Sequence, residues 1–170
     1  MKANLFWIPG PWRGRLAIAS RPRGGDWLDD EASAWRLADV DVVVSLLENE
    51  EAAQLNLLHE RQAAKNHGIN FISFPIPDRG VPASMQEAVL LIARLGTQLE
   101  AGKNVAVHCR QGIGRSGLIA AGVLMSSGAS AGEAIQIVSS ARGIPVPETL
   151  AQRQWAEQLL SGLSVPKSRR

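Results

Sequence analysis

The period of the hydrophobic positions changes repeatedly along this chain, and each change marks a new element. DVVVSLL (41–47) is continuously apolar and β-branched, the pattern of a strand buried on both faces. RLAIAS (15–20) and NVAVHC (104–109) read as two further short strands, and INFISFPI (69–76) alternates until proline stops it. Helical patterns lie before and between these strands. DWLDDEASAWRLADV (26–40) carries Trp27, Trp35 and Leu37, and NEEAAQLNLLHERQAAKNHG (49–68) reads as one helix ending on a glycine. SMQEAVLLIARLGTQLEAG (84–102) opens with Ser84 and Glu87 at capping-box spacing. Three helices close the chain: SGLIAAGVLMSSG (116–128), SAGEAIQIVSSARG (130–143) with a second capping box at Ser130 and Glu133, and PETLAQRQWAEQLLSG (147–162). Strands separated by helices predict an α/β fold, a mostly parallel central sheet with helices on both faces.

The 170 residues suffice for one domain with its own core, expected over 1–162, and the basic end at 163–170, with PKSRR, reads as a flexible solvated tail. The net charge of +2 is not gathered into a run, so nucleic-acid binding is not expected. The apolar patch in MKANLFWIPGPWRGR is interrupted by proline and arginine before it reaches the length of a secretory core. With no long apolar span either, no membrane association is expected. A single cysteine excludes an intramolecular disulfide and points to a reducing, cytoplasmic setting.

That cysteine carries the chemistry. In VHCRQGIGRSG (107–117) a strand ends on Cys109, a glycine-bearing turn follows, and Arg115 stands six positions on, at the start of a helix expected near Ser116. Such a turn can aim successive backbone N–H groups of Arg110, Gln111, Gly112, Ile113 and Gly114 at an anion, with the helix N-terminus adding partial positive charge. Arg115 supplies a planar fork for two phosphate oxygens. A thiol in that cradle is driven towards thiolate, and a thiolate facing a bound tetrahedral oxyanion can attack phosphorus through a cysteinyl-phosphate. Arginine and amides already balance the charge of the transferring group, so no metal or other cofactor is expected. In α/β folds the crevice forms at the carboxyl ends of the strands, where LLENEE and PIPDRGVP also leave the sheet.

HCRQGIGRS resembles the His-Cys-x5-Arg-Ser/Thr signature of the protein tyrosine phosphatase superfamily, and the resemblance implies that fold and a phosphatase activity. It implies that His108 orients the loop and helps keep the thiol ionised, and that Ser116 hydrogen-bonds the departing sulfur. It further implies an acid on a mobile loop about thirty residues upstream, the place held by Asp78 in FPIPDRGVP. PETLAQRQW resembles the stretch that supplies a water-positioning glutamine, making Gln152 the candidate, with Gln154 as its competitor and Glu148 where a first glutamine often stands. The length, PIPDRGVP, GIGRSG and PETLAQ are most similar to the compact dual-specificity-like branch, near the cyclin-dependent-kinase-inhibitor-associated phosphatases; the resemblance covers roughly 40–160.

The chain has no tyrosine, so a tyrosine-bearing loop that stacks phosphotyrosine is absent. The expected activity is a metal-independent protein tyrosine or dual-specificity phosphatase, monomeric, acting on phosphorylated proteins or peptides, with Arg79 and Arg110 at the rim favouring acidic partners. A phosphate-binding pseudophosphatase, a phosphoinositide phosphatase and a rhodanese-like sulfurtransferase remain as alternatives. Glu48 reads as a helix-start acid or a second crevice carboxylate; His59 and His67 read as surface or boundary residues; Trp7 and Trp12 read as core or pocket rim.

Overall fold

The computed structural model describes residues 2–163, so the tail expected at 163–170 lies outside the described residues from position 164 onward. Five strands form one sheet: β1 (Leu5–Ile8), β2 (Leu16–Ala19), β3 (Val42–Ser45), β4 (Asn70–Ser73) and β5 (Val105–His108), in the order β1-β2-β5-β3-β4. β1 and β2 are antiparallel; every other pair is parallel. The helices are α1 (Leu28–Leu37), α2 (Asn49–Gln54), α3 (Glu60–Asn66), α4 (Met85–Glu100), α5 (Gly114–Ser126), α6 (Ala131–Arg142) and α7 (Leu150–Leu163).

Period-two alternation sorts the strand side chains between two cores. Leu16, Ile18, Val42, Val44, Val105 and Val107 pack on the side of α4–α7, with Leu95, Ile119, Val138 and Leu159. Ala19, Val43 and Ala106 face the other way, against Trp35 of α1 and Ala64 of α3. The sheet is thus covered on both faces, as its β-branched runs predicted. Among the described residues no helix is long and apolar enough to cross a membrane.

The structure differs from the expectations in three places. β1 was read only as an apolar patch, because four edge residues, three of them half-buried, are too few to show a period. The helix expected over 49–68 is two helices, broken where Asn56 takes a left-handed φ of 58°. The break turns Leu57 into a small core with Leu28 and Leu47, burial that a continuous helix would forgo. Finally, α5 begins at Gly114, two residues ahead of the start expected near Ser116, so Arg115 and Ser116 belong to its first turn.

One register row levels the parallel strands at their carboxyl ends. Ala19 pairs with His108, His108 with Ser45, and Ser45 with Ser73. The loops that follow these four residues all leave the same edge.

Candidate active site

Cys109 follows β5 directly and is 3% exposed. Its Sγ lies 3.3 Å from Ser116 Oγ. Burial pushes the thiol up, but the Ser116 hydroxyl, the backbone N–H groups of Ser116 and Gly112, and the Arg115 charge outweigh it and hold the thiol below its ordinary value. Gly112 has a left-handed φ of 72°, and a Cβ there would meet the Ala19 carbonyl oxygen at 3.1 Å. Glycine is therefore required both by the turn and by the close approach of β2.

Arg115 is buried, and a buried guanidinium needs partners. Its Nη1 donates to Glu51 Oε1 at 2.7 Å and to the Ile76 carbonyl at 2.9 Å; its Nη2 donates to Glu51 Oε2 at 3.0 Å and to Asp78 Oδ1 at 3.1 Å. The Nε–H keeps no partner among the described residues, yet no buried polar side-chain atom of these residues goes unsatisfied, so that N–H is within reach of solvent. Burial pushes Glu51 up, while Arg115, the Glu48 N–H and Arg110 hold it below the ordinary carboxylate value. Sequence reasoning missed Glu51 and singled out Glu48. Glu48 is the exposed N-cap of α2, and its N–H donates to Glu51 Oε1 at 3.1 Å. The three-residue capping spacing was the available signal.

His108 is fully buried. Its Nε2 pairs with Glu60 Oε2 at 2.6 Å, and its ring stacks on Trp35 with centroids 6.1 Å apart. Burial lowers the imidazole, but the Glu60 carboxylate more than reverses this and raises it above its ordinary value. Glu60 was also missed, because at the start of α3 it reads as an ordinary surface acid.

Asp78, in the loop after β4, shares one cavity of about 120 Å³ with Cys109, Arg115, Arg79, Arg110, Gln111, Gly114 and Glu148. Arg79 Nη1 pairs with Glu148 Oε2 at 2.9 Å. Gln152 does not line this cavity. It is fully buried, its Oε1 accepts from the Glu148 and Thr149 N–H groups at 3.0 and 3.2 Å, and its Nε2 donates to the Gly80 carbonyl at 2.9 Å. The amide thus joins α7 to the loop of Asp78, while Gln154 is exposed. Ile113 caps α5.

Two arginines outside the 107–117 segment grip the outward carbonyls of the loop. Arg142 Nε donates to Gly112 O at 2.7 Å and Nη2 to Gln111 O at 3.2 Å, and its guanidinium sits 4.2 Å from the Phe6 ring centre. Arg21 Nη1 donates to Arg110 O at 2.8 Å. With its carbonyls held outward, the peptide N–H groups are free to point in, the arrangement an anion nest needs.

The remaining candidates lie elsewhere. His59 is exposed, and His67 pairs with Asp29 at 2.8 Å. Trp12 is core and donates to Ser127 Oγ at 2.8 Å, whereas Trp7 lines a separate cavity of about 660 Å³ between β1 and α6.

No curated protein sequence matches the chain at a significant level. Solved structures do. Kinase associated phosphatase (KAP), with serine substituted for its catalytic site cysteine, superimposes with a TM-score of 0.85 at 17% identity, over 97% of this chain and 98% of that one. Tk-PTP in its active form gives a TM-score of 0.76 at 30% identity over 95% and 99%. PTPMT1 gives 0.70 at 19% over 92% and 95%. The family described as "Dual specificity phosphatase, catalytic domain" matches residues 38–158, and with that match, this fold and a thiol, guanidinium and carboxylate around one cavity, the chain belongs to the dual specificity phosphatase family.

Proposed function

We propose that this protein is a metal-independent phosphomonoesterase acting on phosphorylated proteins through a cysteinyl-phosphate intermediate. The observation that carries the reading is the single small cavity shared by Cys109, Arg115 and Asp78. A phosphoryl group enters with its oxygens on the loop N–H groups, on the free Arg115 Nε–H and on the Nη2–H now held by Asp78. Cys109 Sγ attacks phosphorus; the S–P bond forms and the ester P–O bond breaks. Asp78 passes a proton to the leaving oxygen. In the second step water attacks phosphorus, Asp78 takes the proton from that water, and the S–P bond breaks. The Ser116 hydroxyl then stabilises the departing thiolate, from the 3.3 Å contact already present.

Glu51 fixes the plane of the Arg115 fork and Glu60 fixes the His108 ring, so both act by positioning. Gln152 serves first as the tie between α7 and the loop of Asp78. Positioning the hydrolytic water from the same place requires its Nε2 to leave the Gly80 carbonyl. Arg115 and the amides supply the charge that a metal supplies in other phosphoryl-transfer sites.

The test is hydrolysis of p-nitrophenyl phosphate in EDTA. Wild type turns over, Cys109→Ser is inactive, and Asp78→Asn loses about 10²–10⁴-fold in rate on substrates with poor leaving groups. Activity that survives Cys109→Ser, or that EDTA abolishes, refutes the mechanism.

A further inference from the structure

We propose that the cleft beside the phosphate loop, walled by Arg21, Arg23 and Arg110, binds a second anionic group, phosphate or carboxylate, on a residue flanking the phosphorylated side chain of a peptide substrate. The inference rests on the phosphatase reading above and specifies its substrate class.

Its first support is topological. The register row that levels Ser45, Ser73 and His108 also includes Ala19, so the loop after β2 leaves the sheet at the same edge as the catalytic loops. That loop, SRPRGG (20–25), lies before the 38–158 family match. It forms one wall of a cleft of about 550 Å³ with Arg21, Pro22, Arg23, Leu55, Arg110 and Gln111. Arg110 and Gln111 also line the 120 Å³ catalytic cavity, so the two spaces adjoin across the phosphate loop.

The second support is that the charges are fixed in place. Arg21 is anchored through Nη1 on the Arg110 carbonyl at 2.8 Å; that acceptor is neutral, and the cation keeps no carboxylate partner among the described residues. Arg23 is held by Glu31 Oε2, which accepts from its backbone N at 2.9 Å and its Nε at 2.7 Å, and its guanidinium lies 4.0 Å from the Trp27 ring centre. Arg110 reaches Glu51 only at 3.5 Å, and Glu51 already serves Arg115 through both oxygens. The wall is rigid as well: a Cβ at Gly24 would stand 2.1 Å from the Leu55 carbonyl oxygen, and Gly25 N–H donates to Asn56 O at 2.9 Å. Pre-oriented guanidinium forks lose little freedom on meeting a phosphate or carboxylate.

A peptide fits this arrangement better than a bilayer. Of the exposed large apolar side chains, Leu37, Leu58, Leu90, Ile144 and Leu150 line neither cavity, and Trp27 is stacked under Arg23. Trp27 is the one exposed large apolar side chain among the described residues beside the cleft, and a single ring covered by a guanidinium gives a bilayer little apolar area to bury.

The experiment uses peptides with a fixed phosphotyrosine or phosphothreonine and alanine, glutamate or phosphoserine at each of the two flanking positions on either side. Wild type is expected to show kcat/KM roughly five- to tenfold higher for the anionic residue at one or more of these positions, fading in 0.5 M NaCl. Within Arg21→Ala and Arg23→Ala the ratio of anionic to alanine peptide falls towards one, and Arg21→Lys retains part of it. The ratio is read within each variant, so any general effect of Arg21 on the loop cancels. Cys109→Ser, titrated with the same peptides, reports the preference as affinity and does not depend on turnover. Turnover of p-nitrophenyl phosphate with no flanking preference overturns this inference alone. Absence of turnover with retained preference in binding overturns the enzymatic reading alone. Soluble inositol bisphosphate, or vesicles bearing phosphatidylinositol phosphates, hydrolysed well above every peptide overturns the peptide assignment.

Discussion

Replacing Arg142 with alanine tests how the phosphate loop is held. The substitution removes a partly buried, charge-assisted hydrogen bond of 2.7 Å to Gly112 O and an exposed one of 3.2 Å to Gln111 O. The first is worth about 1.5 kcal/mol and the second, screened by solvent, about 0.5, so the loop loses about 2 kcal/mol of preference for its inward-facing arrangement. Gly112 N–H is one of the donors that stabilise the Cys109 thiolate, so a loosened loop weakens that bond. The part of that loss transmitted to the bond raises the thiol pKa, so the midpoint of Arg142→Ala lies at higher pH than that of wild type. Inactivation by iodoacetamide across pH reads that midpoint directly, and titration with inorganic phosphate reads the nest. Phe6→Leu removes the ring under the guanidinium and gives a smaller shift in the same direction. Arg142→Lys recovers part of the effect, and added guanidinium ion partly rescues Arg142→Ala. An unchanged alkylation midpoint with unchanged phosphate affinity in a folded Arg142→Ala protein refutes the reasoning.

Three further outcomes follow from the same geometry. The Glu60–His108 pair raises His108 above its ordinary value of 6.5, so its contribution to stability is complete below pH about 6.5 and fades as pH rises through the folded-state value. Melting temperatures should show this decline in wild type and lose it in Glu60→Gln; equal slopes above pH 6.5 would sink the assignment. Glu51→Gln leaves the Arg115 charge buried with one hydrogen bond fewer and its fork no longer held through both nitrogens by one carboxylate, and is expected to lower kcat for p-nitrophenyl phosphate by at least tenfold while the protein loses about 3 kcal/mol of stability. Urea unfolding separates the two effects, and kcat equal to wild type would refute the positioning role. Gly112→Ala puts a side chain 3.1 Å from Ala19 O at a left-handed φ, so phosphate binding should fall at least tenfold with little change in global melting; tight phosphate binding in this variant would show that the turn is not strained.

The linear order of residues carried much of this. The short apolar runs at 15–20, 41–47 and 104–109 read as buried strands, and the cap spacings at Ser84 and Ser130 marked where α4 and α6 begin, Ser130 with a reciprocal box and Ser84 with its side chain on the Glu87 N–H alone. The spacing of Cys109, the glycines and Arg115 was legible because a strand–turn–helix nest is built from consecutive residues, and its geometry is local. Asp78 was found by resemblance to a family pattern, and the cavity it shares with Cys109 exists only in the folded chain.

Other features depended on long-range contacts that leave little trace in a window of neighbours. β1 is an edge strand whose pairing partner supplies its order. The break at Asn56 is favoured by burial of Leu57 against Leu28 and Leu47, both distant in sequence. Glu51, Glu60, Arg142 and Arg21 look like surface charges in sequence, and only the fold reveals what each one faces: Arg115, His108 and the loop carbonyls. Local periodicity and turn chemistry suffice to mark the candidate nucleophile Cys109, its glycine-bearing turn and the layers of the fold along the chain. The tertiary structure alone decided which distant charges orient that loop, because the energy of an ion pair depends on separation in space and burial and not on separation along the chain.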